Sequence, residues 1–327
     1  MRSNRNARGR PLSYCKACEM EDFAHSDLVP VLREIYAGTD RRFPHDYPRG
    51  NEDRKHWETA MTVRALRDHG VLRPDAELLG VGAGREDAMF HLTGLVRRVF
   101  ATDLYLSPGE WSYFASPLML VAPERLARLP FQRERLVVQH MDGRWLRYPD
   151  ATFDAVFSAS SIEHFGPLAE IAAAAYEMGR VLKPGGVLSL STELRVDGPA
   201  GGSGWPGVVL LEDASIRRFI VEASGLELVD DLDLTMSKAT LSTRCAIADL
   251  VATAGTDEEP YPQILLTNEG YVFDSVHLTL RKSSRYPASD NSWACPGEAL
   301  KRRVHAGEVE AVERFTRAAA SAPEKRG

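Results

Sequence analysis

No part of this chain restricts its fold as tightly as the run from Leu78 to Asp103. A short apolar stretch (Leu78, Leu79, Val81) ends in glycines at 80, 82 and 84. A helix-length segment follows, and a second apolar stretch, Val99 to Ala101, closes on Asp103. This is the layout of a strand, a glycine turn, a helix and a second strand with an acid at its end. In such a unit the glycines let a ligand approach the backbone, and the helix start offers unpaired N–H groups. An acid about 20 residues further on is placed to accept hydrogen bonds from a ribose diol. The run therefore implies a cofactor that carries a nucleoside.

The glycine spacing narrows the choice. A dinucleotide fingerprint needs G-x-G-x-x-G. Counting from Gly80 puts Arg85 in the last place, and counting from Gly82 puts Asp87 there. The acidic pair Glu86-Asp87 at the helix start would also repel a pyrophosphate. S-adenosylmethionine has no phosphate and carries cationic ammonium and sulfonium groups, so it suits the site where a nicotinamide cofactor does not. A glycine turn without a ligand is the plain alternative for this segment taken alone.

Further strands follow in order. Residues 136–142 read as a third strand ending in Asp142, with Gly143 next; residues 150–165 read as a fourth strand entering a polar loop. A helix over 167–182 starts at Pro167 and stops at Lys183-Pro184-Gly185-Gly186, before a fifth strand at Val187 to Leu190. With these segments in place the chain resembles the class I S-adenosylmethionine-dependent methyltransferases, of the kind found in bacterial glycan and small-molecule pathways. The likeness spans roughly 60–195, with an extension to about 282, and rests on Leu78–Gly84, Ala101–Tyr105, His140–Phe165 and Glu177–Glu193.

The resemblance implies roles for matching residues. Gly82, Ala83 and Gly84 form the turn under the methionine moiety, with Gly80 ahead of them also counted to the cofactor site. Asp103 holds the ribose hydroxyls, with Leu104 beside the adenine. Asp142 accepts from the adenine amine, flanked by Met141 and Gly143, and Ser158, Ala159 and Ser160 form the loop facing cofactor and substrate. Two positions depart from the family pattern. Many members carry an acid where Gly80 stands and a glycine where Glu86 stands, so Arg85, Glu86 or N-terminal residues are left to hold the methionine end. Glu163 and His164 are candidate catalytic residues. A histidine near its unperturbed pKa can serve as general base for a hydroxyl acceptor, or it can cap a helix and shape the pocket.

Net charge is −6, which argues against a general nucleic-acid footprint. The Ser-Ala-Ser-Ser loop at 158–161 also lacks the Asp/Asn-Pro-Pro-aromatic motif of amino-directed DNA methyltransferases. No apolar run approaches the roughly 18 residues of a membrane span, and the arginines at 2, 5, 8 and 10 have no apolar region behind them. The expectation is a cytoplasmic enzyme with a small-molecule or glycan acceptor and no membrane or nucleic-acid partner. Cys15-x-x-Cys18 with His25 supplies half of a zinc spacing, and no second close pair completes it, so no metal is expected.

The expected division is a disordered basic arm at 1–11, an N-terminal helical cover at 12–72, and a core at 73–282 with insertions at 105–130 and 235–265. A polar tail at 283–327 carries a helix at 297–319. Trp111, Tyr113 and Phe114 in the first insertion are candidate walls of the cofactor pocket or plain core. The stretch 197–207 has five glycines around Trp205 and reads as a lid or a linker. The expected fold is α/β: a Rossmann-like sheet of seven strands, mostly parallel with the last antiparallel, helices on both faces, and strands six and seven at 226–232 and 272–280. The enzymatic reading is O-methylation of a sugar or metabolite hydroxyl; peptide or protein methylation and a non-catalytic scaffold are the alternatives.

Overall fold

A computed structural model of the protein describes residues 11–39, 46–107, 114–283 and 290–321. Of the expectations above, the arm before Pro11, Trp111 and Tyr113 lie outside the described residues.

The chain opens with a two-residue strand, β1 (Lys16–Ala17), then α1 (Val29–Tyr36) and α2 (Arg54–Asp68). Asp53 caps α2 by accepting the Lys55 N–H at 2.8 Å. Next come β2 (Glu77–Val81), α3 (Asp87–Leu92), β3 (Arg98–Asp103), α4 (Leu118–Val121), β4 (Leu136–His140) and β5 (Phe153–Ala159). α5 (Leu168–Val181) leads without a loop into β6 (Leu182–Asp197), so the expected stop at 183–186 belongs to the start of a strand. The glycine-rich stretch forms a small hairpin, β7 (Gly204–Trp205) and β8 (Val208–Val209). α6 (Asp213–Ile216) runs on as a π-helix over 217–222 and is followed by β9 (Glu227–Leu228). The second insertion holds α7 (Lys238–Leu241), β10 (Cys245–Ala246) and α8 (Ile247–Thr253). β11 (Leu266–Asn268), β12 (Tyr271–Arg281) and α9 (Glu298–Ser321) complete the molecule.

Among the described residues the main sheet has ten strands, in the order β10-β11-β12-β6-β5-β2-β3-β4, with β1 and β9 also pairing with β12. β4, β3, β2, β5 and β6 run parallel, and β12 lies antiparallel to β6. The seven expected strands are present, and β9 is shorter than expected. The three additional strands are β1, β10 and β11, each two or three residues long. Strands this short carry no readable periodicity. β1 also shows that the N-terminal segment is more than a helical cover, because it is stitched into the sheet opposite Val276 and His277.

Apolar burial explains the layering. Leu78, Leu79, Val81, Ala155, Val156, Phe157, Leu188 and Leu190 are fully or almost fully buried, as befits parallel strands covered on both faces. α5 places Ile171, Ala172, Ala174, Ala175, Met178 and Val181 in one of the two larger clusters beside the sheet. α2 packs against α1 and α3 on one side and β5, β6 and β12 on the other. This helix is therefore enclosed nearly all round. Arg54, Glu58, Thr59, Thr62 and Arg64 are buried with its apolar residues and must find partners inside. The strand order turns back between β2 and β5, so the crevice at their carboxyl ends is where such a sheet binds ligands.

Candidate active site

The crevice is built around the turn after β2. Gly82 and Gly84 adopt left-handed φ values of +61° and +45°. A Cβ on Gly82 would lie 2.5 Å from that of Ser161, and one on Gly84 would lie 3.0 Å from the Phe114 carbonyl oxygen. Ala83 N–H donates to the Thr102 carbonyl at 3.0 Å and ties the turn to β3. Gly80 has a different reason to be glycine. It sits opposite Phe157 in the sheet, and its Cβ would come within 2.7 Å of that ring, so the acid common at this position has no room.

At the end of β3, Asp103 accepts the Gly84 N–H at 2.8 Å and the Leu104 N–H at 2.6 Å, one on each oxygen. Tyr105 closes the same loop by donating its hydroxyl to the Gly84 carbonyl at 2.8 Å. Burial pushes the Asp103 carboxyl up to about 6, and the two backbone donors only partly pull it back. A carboxylate has about four lone-pair sites, so further donors can be taken here.

The end of β4 differs from expectation. The Asp142 carboxylate is engaged by Arg144, through its N–H at 2.9 Å, its Nε at 2.9 and 3.1 Å and its Nη2 at 2.5 Å. Arg144 also pairs with Glu170 on α5. Asp142 N–H donates to Glu308 Oε1 on α9 at 2.9 Å. Gly143 is packed so closely that a Cβ would lie 2.7 Å from the Phe165 ring and 2.8 Å from Val81. Met141 is buried in the cluster beside the sheet.

The loop after β5 faces the glycine turn from the other side. Ser161 Oγ donates to the Gly82 carbonyl at 2.5 Å. Ser160 sits at φ +42°, a conformation costly for a residue with a Cβ, and its hydroxyl is 2.9 Å from both oxygens of Glu58. Ser158 and Ala159 are buried at the strand end. Glu58 also accepts from Lys55 Nζ at 3.2 Å and from the Ser275 hydroxyl. Arg54 Nη1 reaches both oxygens of Glu193 at 2.8 and 2.7 Å and Ser275 Oγ at 2.7 Å. Burial alone would raise the Glu58 carboxyl, but Lys55 and Arg54, with the two serine hydroxyls, hold it below its ordinary range.

Glu163 and His164 lie beside this network. Glu163 is fully buried; its Oε2 accepts from Thr192 Oγ1 at 2.9 Å, and its Oε1 has no hydrogen-bond partner among the described residues. Burial, reinforced by Glu193 and opposed by Lys55, pushes this carboxyl up to about 8, so it holds a proton at neutral pH. His164 Nε2 lies 3.9 Å from Glu163 Oε1, and its Nδ1 lies 2.9 Å from the Gly207 carbonyl oxygen. Burial also lowers the His164 pKa. A neutral ring beside a carbonyl must place its hydrogen on Nδ1, which makes Nε2 the basic nitrogen. The glycine-rich hairpin thus reaches this histidine through Gly207, while Trp205 packs against Tyr271 and Phe273 at 6.1 and 5.4 Å between ring centres. Burial, with Lys55 opposing it and Glu58 and Asp87 adding to it, pushes Glu86 up to about 7. Asp87 is paired with Arg128 at 2.7 Å and accepts from the Tyr36 hydroxyl at 3.3 Å.

The sequence reading did not include Arg54, Lys55, Glu58, Thr192, Glu193, Ser275 or Glu308. A signal existed for some of them: the charges at 54, 55 and 58 lie among Trp57, Ala60, Met61 and Val63 at the start of one helix. Ser191-Thr192-Glu193 likewise places polar residues inside a buried strand. Cys15 Sγ lies 3.4 Å from the Thr279 carbonyl, and the described residues hold no cluster of three His, Cys, Asp or Glu side chains suited to a metal. No helix among them is long and apolar enough to cross a membrane.

Comparison with known proteins gives four findings. Residues 79–190 match the family model of the methyltransferase domain. A 27-O-demethylrifamycin SV methyltransferase from Amycolatopsis mediterranei is 40% identical over 68 residues, covering 21% of this chain and 24% of that enzyme. The cyclase SpnF is similar in structure at a TM-score of 0.47 with 19% identity, over 84% of this chain and 99% of the cyclase. The 1,6-didemethyltoxoflavin-N1-methyltransferase of Burkholderia thailandensis is similar at 0.38 with 19% identity, over 67% and 79%.

Proposed function

We propose that this chain, whose residues 79–190 are an S-adenosylmethionine-dependent methyltransferase domain, acts as a whole to methylate a hydroxyl of a sugar or other small metabolite. Asp103 carries the reading. It is an acid at the end of the second core strand, held by two backbone N–H groups, pushed up to about 6 by burial and left with lone pairs for a diol. Hydroxyl donors there would favour its ionised form. The two left-handed glycines beside it hold the turn in a backbone conformation that residues with a Cβ rarely adopt, and so set the Gly84 N–H against this carboxylate.

S-adenosylmethionine supplies a sulfonium-activated methyl group for direct in-line transfer. In this reading Gly82, Ala83 and Gly84 lie under its methionine moiety and Asp103 takes the ribose hydroxyls, with Leu104 beside the purine. Met141, Asp142 and Gly143 border the purine edge. Ser158, Ala159 and Ser160 face the methyl group and the acceptor. His164 receives the acceptor's hydroxyl proton at Nε2, and Gly207 fixes the tautomer that leaves that nitrogen basic. The chain's largest contribution is to hold acceptor and methyl in attacking geometry, worth about 7–11 kcal/mol of barrier. A relative named for 27-O-demethylrifamycin SV supports an oxygen acceptor on a small molecule. The net charge of −6 favours a small-molecule or glycan acceptor over nucleic acid.

A thermal-unfolding scan with S-adenosylmethionine, S-adenosylhomocysteine and NADH in parallel tests the cofactor half. At 100-fold over the dissociation constant the two adenosyl ligands should each add about 2.7 kcal/mol. That should raise the midpoint by several degrees, with no shift for NADH. A shift with NADH alone would sink the reading. For the proton acceptor, His164→Gln should lower kcat by about 100-fold or more and leave S-adenosylhomocysteine binding unchanged.

A further inference from the structure

The C-terminal helix lies outside the matched domain, yet it reaches the end of β4. Arg303 of α9 pairs with Glu170 at the start of α5 at 2.8 Å. Further along the helix, Glu308 accepts the Asp142 N–H at 2.9 Å with Oε1 and pairs with Arg147 through Oε2. Its side chain is only 9% exposed, unusual for a glutamate on a surface helix. Val304, Glu308 and Ala311 form one stripe at spacings of four and three, and they are the buried residues of α9 among those described. Leu300, one turn before Val304, is half-buried, while Val309, Val312 and Phe315 are exposed.

This attachment is thin. One valine, one alanine and a half-buried leucine bury little apolar surface, so the bonds of Glu308 are a large share of what keeps α9 down. An element held by so few buried contacts opens more readily than the sheet beneath it. The point of attachment is also telling: Glu308 sits on the backbone between Met141 and Gly143, the segment assigned above to the purine edge.

We propose that α9 is a latch over the purine end of the cofactor site, closed by Glu308 on the Asp142 N–H and on Arg147, and released for each cofactor exchange. The inference rests on the cofactor reading above. With the latch closed, a carboxylate from outside the matched domain lies against the purine edge and slows traffic in both directions. With it open, the Asp142 N–H is given up to solvent or ligand.

The test compares full-length wild type with Glu308→Ala and Glu308→Gln by surface plasmon resonance, using S-adenosylhomocysteine. A gate governs admission and release alike. Glu308→Ala should therefore raise the association and dissociation rates together, each by about tenfold as for loss of a charged hydrogen bond, with a smaller change in Kd. Glu308→Gln keeps an acceptor for the Asp142 N–H but loses the charge on Arg147, and should fall in between. Amide hydrogen exchange over 300–315 in the free protein should be faster in Glu308→Ala. Rates within twofold of wild type would overturn the latch, as would a rise in dissociation alone, which would mark Glu308 as a simple wall. If wild type fails to bind S-adenosylhomocysteine at all, the cofactor reading itself falls, and this inference with it.

Discussion

Asp103 and Glu58 are carboxylates on opposite sides of the same glycine turn, and they are satisfied in opposite ways. Asp103 meets two backbone N–H groups, one from its neighbour and one from Gly84, and burial pushes it up to about 6. Glu58 is met by Lys55 and Arg54 from its own helix, by Ser160 from the loop after β5 and by Ser275 from β12, and it is held below its ordinary range. The ribose end is thus a local device with bonding capacity to spare for a ligand. The transfer end is a closed ionic network that belongs to the core. Substitutions at the first should be felt in binding, and substitutions at the second in stability.

Removing Arg54 should have the largest effect. Arg54→Ala leaves Glu193 buried without its main cation and Glu58 with Lys55 alone, and loss of one partner from a buried pair costs about 3–5 kcal/mol. Urea unfolding monitored by circular dichroism measures it, and a loss below 1 kcal/mol would show the network to be ornamental. Asp103→Ala probes the other end. S-adenosylhomocysteine binding by calorimetry should weaken by about 1–3 kcal/mol, while the unfolding midpoint without ligand stays close to wild type. Equal losses in binding and stability at that position would erase the contrast between the two ends.

Glu163 gives a smaller effect, visible in pH dependence. In the fold its proton is retained to about 8, whereas the ordinary carboxyl value is 4.5. Between these values the folded chain binds more protons than the unfolded one, so stability from this group is present at the acid end and lost as pH rises through the window. Wild type should lose thermal stability from pH 5 to 8 more steeply than Glu163→Gln, whose amide does not titrate. Parallel curves would remove Glu163 from the protonated state assigned to it. The smallest change belongs to Ser160→Gly, which relieves a left-handed backbone but loses a hydrogen bond to Glu58. The two terms are each about 1 kcal/mol and opposite in sign, so unfolding free energy should move by less than that.

The contrast also marks what could be read in advance. Strand, glycine turn, helix and acid form one continuous unit, and the hydrogen bond that closes it spans only 19 residues, from Gly84 to Asp103. Apolar periodicity and glycine placement encode such a unit directly, and the five parallel strands of the sheet were legible on the same terms. Gly80 could be seen to depart from the family pattern, but not why, since the reason is the Phe157 ring on the neighbouring strand. The extra edge strands had no periodicity to show.

From the residues alone came the order of the core strands, the turn at 82–84, the acid at its distance and the pairing of Glu163 with His164, all short-range in the chain. Only the tertiary structure could decide which charges meet. Arg54 finds Glu193 across 139 residues, Glu308 finds the Asp142 N–H across 166 and Ser275 finds Glu58 across 217. A buried charge has to be matched by whatever the fold brings within hydrogen-bond reach, and nothing in the local pattern of α2 or α9 names that partner.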